Sequence, residues 1–276
     1  MSTFEKFVGF LQTKMDTPKS FGTFHLIFLA FIVLSAIFFV WCFRNASDKT
    51  IRILFFVFWI VLVVLEIYKQ FIFSITAENG IVSWDYQWHA FPFQFCSTPL
   101  YALPFIIFLK NGRMRNAFMA FFASFSFFAG LAVVIYPNDV FTSMAGINYQ
   151  TMIHHGSQVV LGALIVAYNR RKMSKRYFVG SLIVFYFFAG IAMIINEVVH
   201  NHFVATGSSE QINMFFISPY YDCTLPVLSI IHDKVPYPAF LCIYLVGFAL
   251  VAAIIFTLEK LILRVFCRKN DNRSKC

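Results

Sequence analysis

Seven long apolar runs decide what this chain can become. They occupy residues 24–43, 51–76, 89–109, 114–136, 149–169, 177–199 and 238–260. A helix needs about 20 apolar residues to cross the hydrocarbon core of a bilayer, and each run is long enough, some with tilt. An isolated strand in lipid leaves its backbone N–H and C=O groups unsatisfied, so each run is predicted to be helical. The first run has an apolar core and a preceding leader too long for a cleaved secretory signal, and no small-residue cleavage pattern follows it. Composition agrees: 59% of the 276 residues are hydrophobic and 13% are charged, against about 25% charged in a typical soluble domain. An ordinary soluble enzyme, a disordered chain and a coiled coil are excluded.

The net charge of +9 would suggest nucleic acid in a soluble protein. Here it sorts by connection. Arg44, Lys49 and Arg52 flank the first loop, Lys110, Arg113 and Arg115 the third, and Arg170, Arg171, Lys172, Lys175 and Arg176 fill the fifth. With Lys260, Arg264, Arg268, Lys269, Arg273 and Lys275 of the tail, 17 of the 22 basic residues fall on one side. Positive-inside logic makes that side cytoplasmic. The expectation is an all-α polytopic membrane protein with seven transmembrane helices, the N-terminus outside and the C-terminus cytoplasmic. Residues 1–23 form an extracytoplasmic segment, 24–260 a single transmembrane domain with an outer loop at 200–237, and 261–276 a basic tail. The apolar spacing in residues 4–15 fits a short interfacial helix, and a disordered lead-in fits as well. The aromatic- and proline-rich outer loop reads as a lid or binding loop, or as a plain connector. Phe127-Phe128-Ala129-Gly130-Leu131-Ala132 recurs as Phe187-Phe188-Ala189-Gly190-Ile191-Ala192. An old duplication or coincidence would explain it, and both glycines are candidates for close helix approach.

Ionisable groups inside a membrane are expensive and point to function. All seven histidines fall on the outer side or in the outer half of a span, as do Glu66 and Glu197. This describes an outward-facing chamber, unlike a channel or alternating-access transporter, whose polar groups reach the midplane. Glu66, Lys69 and Gln70 share one helix face, where Glu66 and Lys69 either neutralise each other or serve the chamber. Gln150, His154 and Gln158 form a polar stripe with Ser157 beside it. His155 falls on a less polar row, so His154 is the better candidate to face the chamber. At 1.5 Å per residue, Cys96 lies about 10 Å below His89 and His154 about 8 Å into its helix, at similar depth. A Cys beside a His can become a thiolate nucleophile, and a lone Cys in a membrane helix also serves as a small apolar residue. Cys42, Cys267 and Cys276 are cytoplasmic; Cys223 and Cys242 are outside and able to pair.

The run Phe91-Pro92-Phe93-Gln94-Phe95-Cys96 resembles the Leu-Pro-Phe-Gln-Leu-Cys signature of the YwaF family, the bacterial relative of transmembrane protein 164. His154-His155-Gly156 resembles its histidine motif. Thr206-Gly207 through Asn213-Met214-Phe215-Phe216 resembles its Asn-Tyr-Met stretch. Phe91 replaces the usual Leu, and Gln211-Ile212 departs from the usual residues before Asn213. The resemblance runs from the second helix to the seventh. It implies six or seven spans and kinship with membrane lipid acyltransferases and hydrolases. Carried over, Cys96 holds an acyl group as a thioester, His154 is the base and His155 its reserve. Membrane phospholipids are then the substrates, in a bacterial cytoplasmic membrane, with no cofactor, no metal and no nucleic acid; no oligomeric state follows. From depth alone, Gln94, Ser97 or Asn213 would donate to the oxyanion, and Glu66 or Glu197 would orient the histidine.

Two other readings stand beside this one. A metal-dependent intramembrane lipid hydrolase would use the histidines and glutamates as ligands, although no span carries an H-x-x-x-H pair and the last run has no histidine. A non-enzymatic seven-helix binder or sensor would need the chamber but not Cys96. A retinal protein is excluded, since no lysine lies between Pro238 and Leu258. The bland reading is a set of polar residues that only glue helices together.

Overall fold

The computed structural model describes residues 2–78 and 80–270. Of the basic tail, Arg273, Lys275 and Cys276, together with the side chains of Cys267, Arg268 and Lys269, lie outside the described residues. The chain is mostly helical. A short α1 (Thr3–Leu11) precedes α2 (Thr23–Phe43) and α3 (Asp48–Ser74), followed by the antiparallel hairpin β1 (Ile75–Glu78) and β2 (Ile81–Trp84). Next come α4 (Pro99–Phe108), α5 (Arg113–Phe121), α6 (Phe127–Ile135), α7 (Ala145–Tyr168), α8 (Lys175–Thr206), a five-residue α9 (Leu228–His232) and α10 (Tyr237–Asn270). A π-helical turn, Phe122–Ser126, joins α5 to α6 into one rod. Among the described residues, five helices are long and apolar enough to cross a membrane: Thr23–Phe43, Asp48–Ser74, Arg113–Ile135, Lys175–Thr206 and Tyr237–Val265.

Two of the expected runs take other forms. Run 89–109 is not one helix. It folds as two 3-10 turns, Trp88–Ala90 and Phe95–Ser97, before the ten-residue α4. Prolines explain the break. Pro92 disfavours helical backbone at Phe91, which sits at ψ 135°, and Pro99 starts α4 where its missing N–H costs nothing. The second run ends at Ser74, and its continuation enters the hairpin, turned through Gly80 at φ +79°. A strictly all-α fold is therefore corrected by two short strands, built from β-branched and aromatic residues around a glycine turn. Helix α8 continues past Val199 to Thr206 and stops at Gly207, which takes the left-handed conformation at φ +66°.

Within the N-terminal segment, Thr3–Leu11 form an ordered helix. Ser2 and Glu5 form a capping box. Tyr68 Oη donates to the Leu11 carbonyl at 2.7 Å, Gln12 Nε2 donates to the Ile75 carbonyl at 2.9 Å, and the Gly80 N–H donates to Glu5 at 2.6 Å. These bonds seat α1 on the hairpin at one end of the bundle. At the other end the basic connections meet. Arg170 donates to the Arg44 carbonyl and, at 2.8 Å, to Asn45, while Arg115 and Arg52 both bind Asp48.

Helix α7 is the centre of the bundle, with α2, α3 and α6 packed around it and most of its residues buried. Helix α6 comes unusually close. A Cβ on Gly130 would lie 2.6 Å from both the His155 carbonyl oxygen and Gln158 Cβ. Gly190, its counterpart in the recurring motif, faces open space. The two copies of the motif are therefore not packed alike, and only the first brings helices together.

Candidate functional site

Cys96 sits in the 3-10 turn Phe95–Ser97, half-buried, at the point where the prolines have broken the helix. A turn there leaves backbone carbonyls without helical partners, and α7 supplies donors. The Cys96 carbonyl accepts from His154 Nε2 at 3.0 Å and from Gln158 Nε2 at 2.8 Å. Gln158 and His154 are four residues apart on one face of α7, so one carbonyl receives both. The contact is to the Cys96 backbone and not to its thiol.

This contact settles the histidine tautomers. A carbonyl only accepts, so the His154 Nε2 carries the proton and its Nδ1 is the basic nitrogen. His155 is the mirror case: its Nδ1 donates to the Thr151 carbonyl at 2.8 Å, which leaves Nε2 basic. The two rings lie 5.2 Å apart. His154 Nδ1, His155 Nε2, Gln158 Oε1 and Glu66 Oε2 are all buried and have no hydrogen-bond partner in the protein. Every one is an acceptor. A buried unsatisfied acceptor costs about 1–3 kcal/mol, so four in one neighbourhood make a site suited to a ligand that donates.

Glu66 comes from α3. Its other oxygen binds Lys69 Nζ at 2.8 Å and accepts from Gln70 Nε2 at 2.7 Å. Gln70 also donates to the Ala90 carbonyl and accepts from Tyr86 Oη. Of the two readings that spacing leaves open for Glu66 and Lys69, the neutralising pair is formed. The Ser97 hydroxyl lies beside the Cys96 thiol.

Gln94 and Asn213 are used to hold backbone. Gln94 Nε2 donates to the Asn213 carbonyl at 3.0 Å, and its Oε1 accepts from the Phe215 N–H at 3.1 Å. Asn213 Oδ1 accepts from the Ser218 N–H at 2.9 Å, and its Nδ2 donates to the Asp222 carbonyl at 3.0 Å. Asn196 of α8 completes the clamp, donating to the Met214 carbonyl at 3.0 Å and accepting from the Met214 N–H at 2.6 Å. The clamped segment is strained. Phe215 and Phe216 lie at φ 59° and 58°, a region rare for bulky residues, and such strain persists only where surroundings over-determine it. Phe215 is fully buried, with its ring against Phe93 and Phe95 on either side of Gln94. The loop after α8 is thus part of the wall around Cys96 rather than a loose connector.

Glu197 does not join this cluster. It is exposed, accepts from Tyr220 Oη at 2.7 Å and Asn201 Nδ2 at 2.9 Å, and sits near His200, which stacks on Tyr220 at 3.6 Å. His25 is buried but structural, bonded to the Phe21 N–H and the Val134 carbonyl. Cys223 and Cys242 are free thiols and do not pair. Among the described residues, three metal-ligating side chains converge at Asp222, His232 and Asp233, away from His154 and His155. Helical spacing puts Asn196 on one face with His200 and gives it no role in the site. Its signal is nevertheless present: an asparagine that ends a long unbroken apolar stretch of α8.

The sequence profile of the TMEM164 family matches residues 20–259. No curated protein and no solved structure matches the chain. The matched span includes Cys96, both histidines, Glu66 and the clamp residues.

Proposed function

Since the chain belongs to the TMEM164 family, we propose that it is a membrane-embedded acyltransferase that moves fatty acyl groups between glycerophospholipids through a thioester on Cys96. One observation carries this reading. His154 Nε2 donates to the Cys96 carbonyl, which ties the imidazole to the turn that bears the thiol and leaves its basic nitrogen, Nδ1, buried and unpartnered on the far edge of the ring. In this reading the His154 ring turns away from the Cys96 carbonyl so that Nδ1 takes the thiol proton, and the thiolate attacks an ester carbonyl of the donor lipid. The carbon–oxygen bond of that ester breaks, and the lyso-lipid leaves with the proton returned by His154. A hydroxyl of the acceptor lipid then attacks the thioester, His154 again takes its proton, and the Cys96 thiol is restored. The unpartnered acceptors of His155, Gln158 and Glu66 suit the incoming hydroxyl, which is a donor. This reading assigns the oxyanion to Ser97, while Gln94 and Asn213 act by holding the wall.

In this reading α4 with its 3-10 turns and the central α7 also cross the bilayer, which makes seven spans. The basic end faces the cytoplasm, following the charge bias, and the N-terminus lies outside. The membrane is a bacterial cytoplasmic membrane, as the YwaF-like motifs suggest, and the site opens toward its outer leaflet.

The test is intact-mass measurement of the purified chain incubated with mixed phospholipids. The expected result is a hydroxylamine-labile fatty-acyl adduct that is absent from Cys96→Ala. An unmodified wild-type chain that also fails to move labelled acyl groups between lipids would overturn the proposal.

A further inference from the structure

At the basic end, helices α8 and α10 line an open cleft of about 490 Å³. Three cations stand at its rim: Lys175, the first residue of α8, and Lys260 and Arg264, one turn apart on α10. None of them is in an ion pair among the described residues. The neighbouring acid, Glu259, is buried and pairs with none of them. The walls change character with depth. Phe178 and Leu182 follow Lys175 at helical spacing, and Ala253 and Phe256 precede Lys260 in the same way, so the cleft is apolar toward the middle of the bundle. Lys260 Nζ lies 5.7 Å above the Phe256 ring, at the boundary between the two zones.

We propose that this cleft binds an anionic diacyl phospholipid, with its phosphate among Lys175, Lys260 and Arg264 and an acyl chain along Phe178, Leu182 and Phe256. The match is one of charge and depth together. Three unpaired cations at a helix-end rim attract a negative head group, and basic clefts between membrane helices take such lipids. A free phosphate ion would use the rim but not the apolar walls. The site is separate from Cys96, so the lipid here is a bound component and not the acyl donor.

The test is native mass spectrometry of the full chain in detergent, titrated with phosphatidylglycerol and with phosphatidylethanolamine of the same acyl chains. Three cations attract the head-group charge and salt screens part of that attraction, so phosphatidylglycerol should bind about 10-fold more tightly. The combined variant Lys175→Gln, Lys260→Gln, Arg264→Gln should lose that preference, and inorganic phosphate should not displace the lipid. If the combined variant does not fold, Arg264→Gln alone should lower the preference about 2-fold, its equal share of the roughly 10-fold preference. Equal binding of both lipids to wild type, an undiminished preference in the variants, or displacement by phosphate alone would each overturn the proposal. None of these readouts depends on acyl transfer, so the two proposals fail separately.

Discussion

Two buried polar clusters sit at opposite ends of the bundle and are finished differently. Around Arg115, donors and acceptors meet. Arg115 is 1% exposed, and its guanidinium donates to Asp48, Asn111 and the Ile106 carbonyl, while Asp48 also accepts from Arg52. A single guanidinium nitrogen, Nη2, lacks a partner in this group. Around Cys96 and His154, four acceptors are left over with no donor to meet them. The first cluster closes on itself, as a structural network does. The second is complete only with something added, as a binding or catalytic site is.

The largest expected effect separates these roles directly. His154→Gln should lower acyl transfer by a factor on the order of 10²–10⁴, the usual contribution of a general base, while thermal unfolding in detergent stays close to wild type. Arg115→Met should do the reverse. Losing a buried partner of a half-shielded Asp48 should destabilise the fold by about 2 kcal/mol, with activity per folded molecule unchanged. A stable, fully active His154→Gln, or an Arg115→Met that loses activity without losing stability, would erase the distinction between the clusters.

A smaller effect sharpens it at the contact between α6 and α7. Gly130→Ala drives a methyl group against the His155 carbonyl and Gln158, so it should cost about 1–3 kcal/mol and disturb the site. Gly190→Ala meets nothing and should be neutral or stabilising by up to about 1 kcal/mol. Equal unfolding temperatures for the two variants would mean the close approach at Gly130 is not what seats the histidines.

The smallest effect lies outside both clusters. Glu5 is held below its ordinary value of 4.5 because the Gly80 and Ser2 N–H groups donate to it. A carboxyl lowered by folding stabilises the folded state above 4.5, and that contribution is lost as the pH falls through the lower, folded value. Protection factors over residues 2–12, corrected for the intrinsic exchange rate, should therefore fall as the pH drops below 4.5. Glu5→Gln should remove the change.

Much of this molecule is legible in its residues alone. Apolar runs of spanning length dictate helices, because lipid offers the backbone no partners, and the five long helices follow from that alone. The segregation of basic residues puts Arg44, Arg52, Arg115 and Arg170 at one end, where Asp48 and backbone carbonyls tie them together. Helical spacing puts Glu66 beside Lys69, and His154 in line with Gln158. Hydropathy does not show that run 89–109 breaks into turns, although Pro92, Pro99 and Pro104 are in plain view; an apolar count does not register a missing N–H.

What tertiary structure decided is where each polar atom finds its partner. Gln94, Asn213 and Glu197 share the depth of Cys96 in the sequence. Gln94 and Asn213 are nevertheless engaged with the backbone of the strained Phe215 segment, and Glu197 is exposed beside Tyr220. Depth along a helix is a one-dimensional property and follows from residue number. Which face meets which neighbour, and therefore which nitrogen of His154 is left basic, depends on packing between elements far apart in the chain.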